Sequence, residues 1–315
     1  MDTLSYYYFT ELVKDMNMTR TANRLFISQQ TLSNHIQRLE RYYGVSLFDR
    51  KPSLTLTFAG KQLLAYANGV NREMTNAKKR LSEIAGEERG LIRFGASAQR
   101  LDACIPQVFP LMSARYPNIS ISLTDAISKK LEPMLLNETL DFAIISTIES
   151  SFRLAVKPLM KDQIYLCVDD GLLWHCCPDA EALKRRAIHG ANIRDFKDLP
   201  FSMLTTRLGA IIDKYMNEEK IVPKVCITSS HTRVSSIVCF QGVAACFVPL
   251  VTLVTQQIPD TVDIFPLYHD GQPVFQDISL AWLEGRYLTQ YDHYFMDLIS
   301  AQCKQLESRN FTRIV

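Results

Sequence analysis

The sequence predicts an α/β protein with a short helix-turn-helix module and hairpin at the N-terminus, a long linker helix, and a larger C-terminal α/β region. Three observations predict it. Apolar residues at helical spacing recur in short blocks from Leu4 to Leu39. Steps of four and three residues then run from Leu63 to Ile84. Beyond Leu91, short apolar strands alternate with amphipathic segments. A chain of 315 residues that is 47% hydrophobic can bury more than one core.

Charge divides the same way. Residues 1–90 carry 13 Lys and Arg against 9 Asp and Glu, and the remainder 22 against 24, within a net +2. A basic module ahead of a slightly acidic one fits a nucleic-acid reader joined to a second function. No positive segment followed by an apolar core opens the chain, so no signal peptide is expected. The most apolar stretch, 237–251, is interrupted by Gln241 and Pro249 and falls short of the roughly 18 residues a spanning helix needs. The expectation is a cytoplasmic protein without a membrane role. Eight cysteines without CxxC spacing read as reduced, mostly buried thiols, with Cys226, Cys239 and Cys246 in the core.

In the first helix Leu4, Tyr8, Phe9, Leu12, Val13 and Met16 share one face. Thr19 reads as the N-cap of a second helix, with Ala22 and Leu25 inward. Ser28 caps a third, whose Leu32, Ile36 and Leu39 form an apolar stripe. On its opposite side stand Gln30, Ser33, Asn34 and Gln37, amides and hydroxyls of the kind that base edges in a major groove require. An ordinary solvated face would be richer in Lys and Glu. The alternation Leu54, Thr55, Leu56, Thr57 after Pro52 predicts a short hairpin, with Arg50 and Lys51 placed to meet phosphates.

The run from Phe9 through MTRTANRLFISQQTLSNHIQRLERYYGVSLFDR to LTLTFAG resembles the winged helix-turn-helix of LysR-type transcriptional regulators. Matching positions include Thr19, Arg20, Ala22, Ser28, Gln29, Leu32, Ser33, Glu40, Gly44, Arg50 and Gly60. The resemblance implies DNA contacts from Thr19, Arg20, Ser28, Gln29, Gln30, Thr31, Ser33, Asn34, Gln37, Arg38, Arg50 and Lys51. Gln30 stands where relatives usually have Pro, and Asn34 where Arg is common; the wing is about one residue shorter and less basic.

After Gly60, the positions Leu63, Ala67, Val70, Met74, Ala77, Leu81 and Ile84 form a heptad seam. Such a seam predicts pairing with a second copy, beyond packing on its own domain. Relatives dimerise through this helix. Two tethered modules read two half-sites and gain from effective concentration. Gly86 and Gly90 bracket Glu87, Glu88 and Arg89 as a hinge.

Farther on, strands are expected at 91–94, 119–123 and 142–145, and helices at 101–116 and 131–137, which implies a mostly parallel sheet covered on both faces. IRFGAS, IPQVFPLMSARYPNISISL and LDFAII are similar to the effector-binding domain of the same family, a two-lobed fold resembling type 2 periplasmic binding proteins. The implied domains are 1–60, 61–89 and 90–315, with lobe I at about 90–163 and 268–315 and lobe II at about 164–267. Residues 175–191 read as an insertion.

Ligand contacts are expected at strand ends, from Ser97, Gln99, Ser146, Thr147, Thr205 and Thr206, with Arg100 and Arg207 able to clamp a carboxylate. His175, Cys176, Cys177 and His189 lack zinc-ligand spacing, and no GxSxG, P-loop, GxGxxG or HExxH occurs. Neither catalysis, metal nor cofactor is expected. The resulting expectation is a sequence-specific DNA-binding transcriptional regulator controlled by a small, anionic effector. Its partners would be double-stranded DNA, further copies of itself up to a tetramer, and RNA polymerase. The alternatives are a solute-binding protein of the same lobed fold without DNA binding, and an enzyme on those lobes.

Overall fold

The computed structural model describes residues 3–50, 53–86, 89–146, 153–309, 311, 313 and 314. Contacts divide the chain into two compact units, Met1–Glu87 and Glu88–Val315. No described helix is long and apolar enough to cross a membrane.

In the first unit, α1 (Thr3–Asp15), α2 (Met18–Arg24) and α3 (Gln29–Tyr43) enclose a core of Phe9, Leu12, Leu32, Ile36 and Leu39. The buried face of α1 centres on Phe9 and Leu12, which leaves Leu4 exposed and buries Ser5, within 2.9 Å of His35 Nδ1. Thr19 is not the N-cap of α2. Asn17 is: its side chain, nearer the helix start, accepts a hydrogen bond from the Arg20 N–H at 2.9 Å, and Thr19 lies within the first turn. Leu25 is only half-buried at the far end. Ser28 caps α3, accepting from the Thr31 N–H at 3.0 Å, and Gly44 ends it at φ 68°, a left-handed conformation that costs glycine little. Arg24 fastens α2 to α1 through Asp15, at 2.8 Å, and Glu11.

Strands β1 (Phe48–Asp49) and β2 (Thr55–Leu56) form the hairpin, pairing Phe48 with Leu56. Thr57 does not extend it, because its hydroxyl caps α4 (Phe58–Ile84) by accepting from the Gly60 N–H at 2.9 Å. The linker helix therefore starts before Gly60. Its first two seam residues, Leu63 and Ala67, are buried in the module's own core, with Val70 packed against it. The later seam positions Met74, Ala77, Leu81 and Ile84 are exposed. Glu87 and Glu88 of the expected hinge lie outside the described residues.

In the second unit, β3 (Gly90–Ala96), α5 (Ala98–Arg115), β4 (Ile119–Asp125), α6 (Ser128–Leu136) and β5 (Phe142–Ser146) alternate as expected. β6 (Leu154–Asp169) then runs through two half-sheets. Next come α7 (Asp170–Cys176), α8 (Ala180–Ala187), β7 (Ala191–Asn192), β8 (Pro200–Leu204), α9 (Arg207–Glu218), β9 (Lys224–Ser229), α10 (Thr232–Phe240), β10 (Ala245–Pro249) and α11 (Leu250–Leu253). The chain returns through β11 (Val262–His269), β12 (Gln272–Pro273) and β13 (Phe275–Leu283) to α12 (Gln290–Glu307).

Strand order is β4-β3-β5-β13-β6 in the first lobe and β6-β10-β8-β9 in the second, where β11 also pairs with β6. The sheets are mixed, not mostly parallel. β3, β4 and β5 are mutually parallel where they pair, as are β8, β9 and β10, but β6 and β13 run antiparallel to their neighbours. These are the strands that carry the chain between lobes, and β12 closes a tight return that needs no crossover helix. β6 changes partners within one strand, from β13 up to Gln163 to β10 and β11 from Ile164 onward.

Each lobe has its own aromatic core. Phe94 and Phe295 meet edge to face at 5.2 Å in one, and Phe201 stacks on Phe247 at 5.5 Å in the other. The insertion folds onto the second lobe: Ala180, Leu183 and Ala187 join its core, and buried Lys184 pairs with Asp170 and, at 3.0 Å, with Asp263. Cys239 and Cys246 are buried, but Cys226 is exposed, because β9 is an edge strand with an open outer side.

Candidate functional site

The outward side of α3 displays Gln29, Gln30, Thr31, Asn34 and Arg38 in the open, with Ser33 and Gln37 half-buried beside them. The polar side chains are ordered along the helix. Gln30 Nε2 donates to Asn34 Oδ1 at 3.1 Å, and Gln37 Nε2 lies 3.5 Å from Ser33 Oγ. Pairing at i, i+4 holds the amides in line, while the Gln30 carbonyl and the Asn34 amide nitrogen take no part in that bond. At the start of α3, Thr19 Oγ1 donates to Gln29 Oε1 at 3.2 Å, tying α2 to the exposed row. Arg20 is exposed, 3.7 Å from Asp15. Arg50 follows β1, also exposed, and its guanidinium lies 3.8 Å from Glu40 on α3. Lys51 lies outside the described residues. The sequence pattern gave no sign of Phe26, which is 97% exposed at φ 56° in the turn between α2 and α3.

A second constellation lies between the lobes of the C-terminal unit. A cleft of about 260 Å³ is lined by Ser97, Gln99, Ser146, Thr205 and Thr206, together with Arg100 and Arg207. Residues from three separate stretches of sequence therefore meet. Thr147 lies outside the described residues. Sequence reading missed Ser128, Lys129, Lys130, His231, Thr252 and Gln276, which also line the cleft. They carry no motif, and only the fold brings α6, α10, α11 and β13 to one opening.

The helix starts explain the chemistry of this cleft. α5, α6, α9 and α10 begin at Ser97, Ile127, Thr206 and His231, all on the cleft, and none has a side-chain cap. Away from it, α2, α3, α4, α7 and α12 are capped by side chains, and α8 is not. Uncapped starts direct backbone N–H groups and the positive end of the helix dipole at whatever fills the space. Gly209 lets α9 begin this close to β8, since a Cβ there would come 1.6 Å from the Leu204 carbonyl oxygen.

Two arginines reach into the cleft from below and across. Arg100 Nη2 donates to Gln276 Oε1 at 3.1 Å and lies 3.9 Å from Asp162. Burial pushes the Asp162 carboxyl up to about 6, against the opposing pull of Arg100 and of backbone N–H groups. Arg207 on α9 spans to the other lobe: Nη1 donates to the Ser146 carbonyl at 2.5 Å and lies 2.7 Å from Glu132 Oε1 on α6. Ser146 itself is occupied, its N–H donating to Ser128 Oγ at 3.0 Å.

A helix-turn-helix with a hairpin wing, joined to a two-lobed domain with a cation-lined cleft, defines a ligand-responsive DNA-binding protein. Comparison with known proteins supplies the family. Residues 5–61 match "Bacterial regulatory helix-turn-helix protein, lysR family", and residues 85–304 match "LysR substrate binding domain". The chain belongs to the LysR family, as a DNA-binding transcriptional regulator with an effector-binding domain. It is 26% identical over 296 residues to the uncharacterized HTH-type transcriptional regulator YkuM of Bacillus subtilis (strain 168), covering 93% of this chain and 95% of that one. Among solved structures, a full-length OxyR variant from Pseudomonas aeruginosa shares the fold at TM-score 0.69 and 18% identity, over 96% of this chain and 95% of that one. Full-length CbnR in complex with its target DNA gives 0.57 at 17%, over 96% and 100%.

Proposed function

We propose that α3 reads base edges through Gln30, Ser33, Asn34 and Gln37, while Thr19, Arg20, Ser28, Gln29, Thr31, Arg38, Arg50 and Lys51 meet the phosphate backbone or hold the helix in register. The observation that carries this reading is the paired row of amides and hydroxyls on α3, Gln30 and Asn34 exposed and Ser33 and Gln37 half-buried, opposite a fully buried Leu32, Ile36 and Leu39 stripe. Base readout rewards such groups, whereas an ordinary solvated face is richer in Lys and Glu. Modest positive charge in the module makes one copy a weak binder, so a second copy is needed to raise affinity and span two half-sites. The exposed later seam of α4, Met74 to Ile84, supports a homodimer, and two such dimers would make a tetramer.

In the C-terminal unit, the effector is a small anionic molecule held between the lobes at 90–163 with 268–315 and at 164–267. It acts by favouring one arrangement of an equilibrium between assemblies that span or bend DNA differently. The protein works in the cytoplasm, with RNA polymerase as a further contact. The test is competition binding of the purified protein to its preferred duplex and to random duplex over a range of salt. Preference for the specific duplex that falls in Ser33→Ala and Asn34→Ala supports the reading. Equal binding to both duplexes by the wild type contradicts it.

A further inference from the structure

Resting on the reading of the cleft as the effector site, we infer that its ligand is a small organic dianion. One anionic group is held by the first lobe, and the other is held by Arg207 in exchange for Glu132. The observations separate into two halves. On the first lobe, the uncapped starts of α5 and α6 face the cleft with Arg100, Lys129 and Lys130. On the second, the uncapped starts of α9 and α10 face it with Arg207. Asp125 is the only acidic residue in the described wall. The cleft of about 260 Å³ is several times larger than a single oxyanion, so donors on its two sides are met together by an organic molecule with a negative group at each end.

Groups already buried in the wall point the same way. Thr252 is 1% exposed, lines the cleft, and its hydroxyl has no hydrogen-bond partner. Arg100 is also buried, and its Nε has none. Polar groups taken from water in this manner carry a standing cost that a ligand oxygen would remove. Across the opening, the Glu132 carboxylate sits 2.7 Å from Arg207, and both side chains are largely buried. A lobe-I carboxylate thus occupies the guanidinium that a ligand carboxylate or phosphate would need. Ligand entry replaces one ion pair by another, and the lobes remain linked, now through the ligand.

The test measures thermal stabilisation of the full-length protein by unbranched α,ω-dicarboxylates from malonate to pimelate. Matched monocarboxylates at equal ionic strength serve as controls, and phosphate esters of short hydroxy acids distinguish the second anionic group. Expected is a rise in melting temperature from dianions beyond that from monoanions, peaking at one chain length. Arg207→Gln removes the rise, Thr252→Val lowers it, and Glu132→Gln, which deletes the competing carboxylate, tightens dianion binding several-fold. Monoanions equal to dianions, no stabilisation by any probe, or a Glu132→Gln variant that binds no tighter would overturn the inference. Stabilisation by neutral solutes alone also overturns it, while leaving the cleft as the effector site.

Discussion

At the scale of single residues, different positions should fail in different ways. Ser33→Ala and Asn34→Ala are each expected to weaken binding to the preferred duplex by about 1–3 kcal/mol and to relax base preference. Arg50→Ala should lower affinity across all sequences and flatten the salt slope by about one unit, because a phosphate contact carries no sequence information. An unchanged slope would show that Arg50 serves Glu40 on α3 instead. Asp162 makes a prediction about pH. Its carboxyl, raised from 3.8 to about 6, holds its proton more tightly folded than unfolded. That contribution to stability is complete below about pH 4 and is lost as pH rises through about 6. Denaturant unfolding at a series of pH values should therefore show the wild type losing stability relative to Asp162→Asn across this window. The α3 residues were legible in the sequence because an apolar stripe fixes the opposite face of a helix. Glu132, Lys130 and Thr252 were not, since they lie far apart in the chain and belong to no motif. Asn17 and Thr19 are both capping residue types, and only the position of Met18 as the first helical residue decides between them.

Among the elements, α4 divides along its length into buried and exposed seam residues. Leu63 is buried in the core of the first unit, so Leu63→Ala should cost about 2–5 kcal/mol of stability in denaturant unfolding. Leu81, 65% exposed, should cost less than about 0.5 kcal/mol within one chain when changed to Lys, yet shift sedimentation toward the monomer. A Leu81→Lys protein that stays fully dimeric would place the seam elsewhere. The heptad spacing showed where the helix runs but not which of its apolar residues are spent locally, because the same side chain satisfies a neighbouring helix or a partner copy. α9 is similarly constrained. Gly209→Ala puts a Cβ against the Leu204 carbonyl, so α9 must shift, at a cost of about 1–3 kcal/mol. Thermal unfolding should register that loss, and any ligand-induced stabilisation should shrink with it.

For the whole molecule, the sequence disclosed the order of the parts better than their joinery. Alternation of strands and helices was plain, but the antiparallel course of β6 and β13 was hidden, since their own side-chain pattern does not record which strands they pair with or in which direction. That course matters for function. β6 is paired in both half-sheets, so a change in the angle between lobes passes through a continuous strand. Binding DNA and binding an effector belong to separate units of one chain. The most direct measurement is sedimentation of the purified full-length protein with a labelled duplex carrying two half-sites one helical turn or a multiple apart, against excess random duplex. Two or more chains per specific duplex, retained under competition, is the expected result. A lone chain that exchanges freely onto random duplex would contradict a paired reader of base edges.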